Sequence, residues 1–61
     1  MPYIEVKAAG TLTKEQKQEI VKQITQTMQD VAGKPPEATY VVIQEIPREN
    51  WAKKGQLLSD S

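Results

Sequence analysis

The chain has 61 residues, with eight Lys and Arg against eight Asp and Glu, and neither histidine nor cysteine. That inventory excludes a disulfide framework, the usual Cys/His zinc sites and any Ser-His-Asp or Cys-His nucleophile. A neutral balance with a pI near 6.2 also lacks the clustered positive charge that nucleic-acid phosphates require, so no nucleic-acid partner is expected.

Tyr3-Ile4-Glu5-Val6-Lys7-Ala8 alternates strictly, with Ile4, Val6 and Ala8 on one side and Tyr3, Glu5 and Lys7 on the other. This is the pattern of a half-buried strand, ended by Gly10-Thr11. Thr13 reads as a helix N-cap, with Gln16 placed to complete a capping box. From Lys14 to Ala32 the apolar residues Ile20, Val21, Ile24, Met28 and Val31 are spaced to share one helical face. Gly33 suits a left-handed C-cap, and Pro35-Pro36 forbids continuation. Thr39 to Ile46 is rich in β-branched and aromatic residues. Its Tyr40-Val41-Val42-Ile43 run suits a strand covered on both faces. Pro47 ends that strand. Arg48 to Trp51 reads as a turn, and Ala52 to Leu58 as a small hairpin or extended arm.

These elements make one domain over residues 1–61. Its class is α+β: strand, helix, parallel strand with a right-handed crossover, and a short C-terminal hairpin. Ordering 61 residues costs about 90 kcal/mol of conformational freedom. A chain of this size buries only about 60% of its unfolded surface. Two strands are not independently stable, and one helix covers one face. The apolar second strand, the open edges and Leu57-Leu58 therefore call for further copies of the chain. The longest apolar run is far too short to span a membrane, so no membrane partner is expected. Residues 1–10 lack the basic start and apolar block of a secretory leader. The expected location is cytoplasmic.

The chemistry points to Pro2. Three scattered glycines, Gly10, Gly33 and Gly55, cannot form a phosphate-binding loop. Without histidine or cysteine, a catalytic base must be a carboxylate, a lysine, a tyrosine or the amino terminus. Removal of Met1, usual before proline, would turn Pro2 into a secondary amine held in direction by its ring. A free α-amino group has a pKa of about 7.7–8.0. Desolvation and nearby cations lower it further, leaving a neutral base at working pH. Proline near a strand start is also a common structural feature, so position alone does not decide its role.

The order Met1-Pro2, alternating strand, Thr13-Lys14-Glu15-Gln16-Lys17, long helix, Val41-Val42-Ile43-Gln44-Glu45-Ile46-Pro47 and Glu49-Asn50-Trp51 resembles the 4-oxalocrotonate tautomerase family of the tautomerase superfamily. The likeness covers essentially the whole chain. It implies a β-α-β subunit assembled as a homohexamer, a trimer of dimers. It further implies a tautomerase in which Pro2 moves a proton between carbons of a small-molecule enol or unsaturated 2-oxo acid, with no cofactor and no metal.

The same resemblance exposes departures. Family members acting on dicarboxylates grip the substrate with two arginines, and those positions here hold Leu12 and Tyr40. Neither can make a bidentate carboxylate contact. Trp51 takes the place of the aromatic pocket wall. Ala52-Lys53-Lys54-Gly55 retains one glycine of the family's glycine-rich hairpin. The substrate-binding candidates are thus Tyr40, as a hydroxyl donor or an interface residue; Trp51, as pocket wall or interface core; Leu12, at the mouth; and Arg48. With Lys53 and Lys54, Arg48 would either supply positive charge toward Pro2 or form a solvated turn. Glu5, Glu45 and Glu49 read as surface or interface charges. Two other functions fit the same fold: a non-catalytic or promiscuous assembly subunit, and a hydratase or dehalogenase of unsaturated acids. The latter normally requires the missing arginines.

Overall fold

The computed structural model describes residues 1–60. Its elements are β1 (Tyr3–Ala9), α1 (Lys14–Ala32), β2 (Tyr40–Ile46) and a hairpin of β3 (Ala52–Lys53) and β4 (Gln56–Leu57). Single 3₁₀ turns occupy Pro36–Ala38, Arg48–Asn50 and Leu58–Asp60. β1 and β2 are parallel, in a register running from Tyr3 opposite Tyr40 to Ala9 opposite Ile46. Two further bonds extend the ladder beyond the paired residues. The Tyr40 N–H donates to the Pro2 carbonyl at 3.0 Å, and the Gly10 N–H donates to the Ile46 carbonyl at 2.9 Å.

The helix begins and ends where the sequence directs. Thr13 Oγ1 accepts the Gln16 N–H at 3.1 Å, and Gln16 Oε1 accepts the Thr13 N–H at 2.9 Å. Two donors of the first turn that lack helical partners are thereby satisfied. Gly33 takes φ 67°, and the Lys34 N–H turns back to the Met28 carbonyl at 3.2 Å. This left-handed closure suits a residue without Cβ. Sequence expectation and structure differ over Val31, which is 83% exposed despite sharing the apolar stripe. A 19-residue helix is about 28 Å long, whereas a seven-residue strand spans about 23 Å. The last helical turn therefore overhangs the sheet.

α1 packs on one face of the sheet. Ile4, Val6 and Ala8 of β1 alternate with exposed Tyr3, Glu5 and Lys7. In β2, Val41 and Ile43 alternate with exposed Tyr40, Val42 and Gln44. As expected of an apolar strand with one helix to cover it, β2 keeps its second face open within a single chain: Tyr40 is 55% and Val42 39% exposed. The strand begins at Tyr40 rather than Thr39. Thr39 closes the preceding 3₁₀ turn, its hydroxyl donating to the Pro35 carbonyl at 2.9 Å. β1 runs one residue past Ala8, to Ala9. Among the described residues none is fully buried. Among the described residues no helix is long and apolar enough to cross a membrane.

In the hairpin, Ala52 opposes Leu57 and Lys53 opposes Gln56, around Lys54 and Gly55. Both turn residues have positive φ, 55° and 77°, the signature of a mirror-image turn whose twist matches the strands. Lys54 adopts a left-handed backbone that costs an ordinary L-residue about 1–2 kcal/mol. Replacing Lys54 with Gly should therefore stabilise the protein by up to about 1 kcal/mol. Gly33→Ala should destabilise it by a similar amount. Urea unfolding at fixed protein concentration measures both.

Candidate active site

The parallel ladder decides where each candidate residue lies. Pro2 precedes β1, and its carbonyl is held by the Tyr40 amide. The Pro2 ring is half-buried, and the neighbouring Tyr3 and Tyr40 side chains emerge on the outer face of the sheet, 60% and 55% exposed. Pro2 and Tyr40 are therefore brought together at one end of the sheet.

Leu12, Arg48 and Trp51 lie at the other end. Leu12 follows Gly10, whose N–H bonds to Ile46, while Arg48 and Trp51 follow Pro47 at the end of β2. Within one chain the two groups are separated by the length of the strands, roughly 20 Å. Trp51 is half-buried at the base of the hairpin, where its carbonyl accepts the Leu58 N–H at 2.9 Å. Arg48 donates from a guanidinium nitrogen to the Leu58 carbonyl at 3.1 Å. That bond ties the 3₁₀ turn after β2 to the end of the hairpin and directs Arg48 to its own hairpin. Lys53 and Lys54, with Gln56, Leu57 and Leu58, line a shallow cavity of ≈ 250 Å³ on the hairpin. A second, more apolar cleft of ≈ 380 Å³ lies along Ile4, Gln23, Ile24, Thr27 and Met28. Neither cavity is lined by Pro2. No group of three or more carboxylates that could hold a metal ion occurs among the described residues.

The Leu12 end contains a polar cluster around Glu45, which the sequence alone reads as a surface or interface charge. Glu45 occupies the helix-facing parity of β2, after Val41 and Ile43. Its Oε2 accepts the Leu12 N–H at 3.2 Å, and its Oε1 pairs with Lys17 Nζ of α1. The hydrogen bond from Lys17, then that from the Leu12 amide, hold the Glu45 carboxyl below its ordinary pKa, against a smaller opposing effect of desolvation. The signal in the sequence was a charge on an apolar parity, a position where a carboxylate needs partners. Because the folded-state pKa is depressed, the stabilisation is present above the ordinary glutamate range and disappears as pH falls through the folded value. Wild type should accordingly lose stability on acidification below the ordinary glutamate pKa more steeply than Glu45→Gln. Urea midpoints across an acid series test this.

The fold and these positions can be set against known proteins. The family model for the tautomerase enzyme matches residues 2–61. The chain is 35% identical over 60 residues to the 2-hydroxymuconate tautomerase of Bacillus subtilis, covering 98% of this chain and 97% of that protein. It is 31% identical over 55 residues to the 2-hydroxymuconate tautomerase of Pseudomonas putida, covering 90% and 87% respectively. A crystal structure described as a homologue of 4-oxalocrotonate tautomerase superposes with a TM-score of 0.93 at 33% identity, covering 98% of both chains. The β-α-β unit with its terminal hairpin is thus a tautomerase fold. The chain belongs to the tautomerase family, and its similarity runs through 4-oxalocrotonate and 2-hydroxymuconate tautomerases.

Proposed function

We propose that this protein is a cofactor-independent tautomerase in which Pro2, after removal of Met1, is the general base. The observation that carries the reading is the placement of Pro2 in a chain without histidine. It stands at the head of β1, with its carbonyl fixed by Tyr40 and its ring half-buried. Met1 is 84% exposed, which leaves its peptide bond accessible to an aminopeptidase. While Met1 remains, the Pro2 nitrogen is an amide with no usable lone pair. Once freed, it is a secondary amine. It takes the hydroxyl proton of an enol as the carbonyl forms, then returns that proton to carbon, so the substrate is isomerised with no net gain or loss of atoms. Negative charge developing on oxygen requires a fixed donor, and the candidate is the hydroxyl of Tyr40, the residue whose amide holds the Pro2 carbonyl.

The active form is a self-assembled oligomer, with a hexamer as the expected state. Three observations support association. The surface is 4754 Å², against about 4000 Å² for a compact monomer of this mass. The radius of gyration is 14.5 Å, against about 10.5 Å for a compact 61-residue domain. The outer sheet face carries Tyr3, Tyr40 and Val42, while Glu5 and Lys7 neutralise one another at 3.5 Å. Association also answers the geometry of the site, because Leu12 and Trp51 can join a pocket around Pro2 only from another copy. With Leu12 and Tyr40 at the positions of the arginine grip, that pocket favours an enol of a monoacid or aromatic 2-oxo acid over a dicarboxylate.

Intact mass of natively produced protein should be lower by one methionine residue. On an arylpyruvate enol, Pro2→Ala should lower kcat/KM by at least about 100-fold, and Tyr40→Phe should lower kcat by about 10-fold or more. Retained Met1 with no turnover would favour the non-catalytic assembly reading. Unchanged turnover in Pro2→Ala would reject the proline base. The melting temperature should rise with protein concentration. A concentration-independent melt would reject assembly.

A further inference from the structure

The segment between β1 and α1 is fastened at three successive points. Gly10 donates to the Ile46 carbonyl, Leu12 donates to the Glu45 carboxylate, and Thr13 exchanges two bonds with Gln16. The outer two are ordinary consequences of a strand end and a helix start. The middle one is not, since it uses a long-range side chain on a parity otherwise given to Val41 and Ile43. That side chain is itself held by Lys17 in the first turns of α1. One carboxylate thereby joins three elements: β2, the connecting segment and the helix. A valine or isoleucine at residue 45 would continue the apolar stripe but leave the Leu12 amide without this acceptor.

We infer that Glu45, oriented by Lys17, is a positioning residue that fixes the backbone at Leu12 and so sets how the Leu12 side chain borders the substrate pocket of a neighbouring copy. The inference rests on the proposed reading of Leu12 as a substrate-binding residue. Glu45 does not reach the reacting atoms. Its carboxylate binds the main chain of the residue that does the bordering, so it governs substrate binding rather than proton transfer. The two oxygens divide the work, Oε2 on the segment and Oε1 on the helix. Glutamine retains an acceptor for the Leu12 amide and loses the charge pairing, whereas leucine loses both.

The test uses the assembled, Met1-processed protein with an arylpyruvate enol, comparing wild type with Glu45→Gln, Glu45→Leu, Lys17→Met and Leu12→Ala. Glu45→Leu should raise KM about tenfold, with kcat within about twofold, matching the effect of Leu12→Ala. Glu45→Gln should restore most of the wild-type KM, and Lys17→Met should fall between. Amide hydrogen exchange at Leu12 should accelerate at least tenfold in Glu45→Leu and remain near wild type in Glu45→Gln. Unchanged Leu12 exchange in Glu45→Leu would overturn the inference. So would a KM raised by Leu12→Ala but not by Glu45→Leu. An equal loss of kcat and stability in both Glu45 variants would show a structural role alone and would also overturn it. Unchanged turnover in Pro2→Ala would instead strike the proline-base reading, which the Leu12 exchange rates do not depend on.

Discussion

The parallel pairing of β1 with β2 is the constraint from which the rest of the molecule follows. A parallel pair cannot be joined by a tight turn, so the chain must travel back along the sheet before the second strand begins. That return is α1. The same register sets Pro2 beside Tyr40 at one end and the Leu12 segment beside Glu45 at the other. Residues close in sequence to each strand's start are therefore separated by the strand's full length from those near its end. No rotamer change within one subunit closes a gap of roughly 20 Å.

The thinness of the unit is the energetic counterpart of that geometry. One helix on a two-stranded sheet encloses no residue completely among those described, and the narrowest extent of the molecule is 14 Å. Hydrophobic stabilisation scales with apolar area removed from water. A unit that leaves Tyr40 and Val42 half open thus keeps part of its available stabilisation in reserve for contact with other copies. On the proposed reading, the surface that completes the core and the surface that completes the pocket are the same surface. Folding and catalysis would then share one association equilibrium.

Much of the architecture was legible because local signals agreed with one another. Thr13 with Gln16, Gly33 in its left-handed cap, and the alternation of Ile4, Val6 and Ala8 each specify local structure through short-range geometry. Other positions depend on lengths and on tertiary cover. Val31 fits the helical stripe, yet periodicity carries no information about where the sheet beneath it stops. Tyr40-Val41-Val42-Ile43 reads as doubly covered because its composition records the cover required, and a single chain supplies half of it. Of the proposed site, Pro2 can be singled out by elimination, since the composition leaves few other bases. Its distance from Trp51 and Arg48 cannot be read in that way, because parallel topology has to be established before the two ends of the strands can be told apart.

Glu45 shows how a charge can be misread when parity is ignored. Taken as one of three glutamates near strand positions, it looks like Glu5, which pairs with Lys7 on the outer face at little energetic consequence. Counted from Val41, it falls on the opposite face, against the helix. There the half-buried carboxylate gains from protein donors that replace part of its hydration. Lys17 supplies one donor and the Leu12 amide the other. The second donor gives the position its meaning, because a main-chain amide cannot be exchanged for another side chain. It ties the end of β2 to the segment that carries Leu12. A leucine side chain is short, so whatever it contributes to a pocket depends on where its backbone is held.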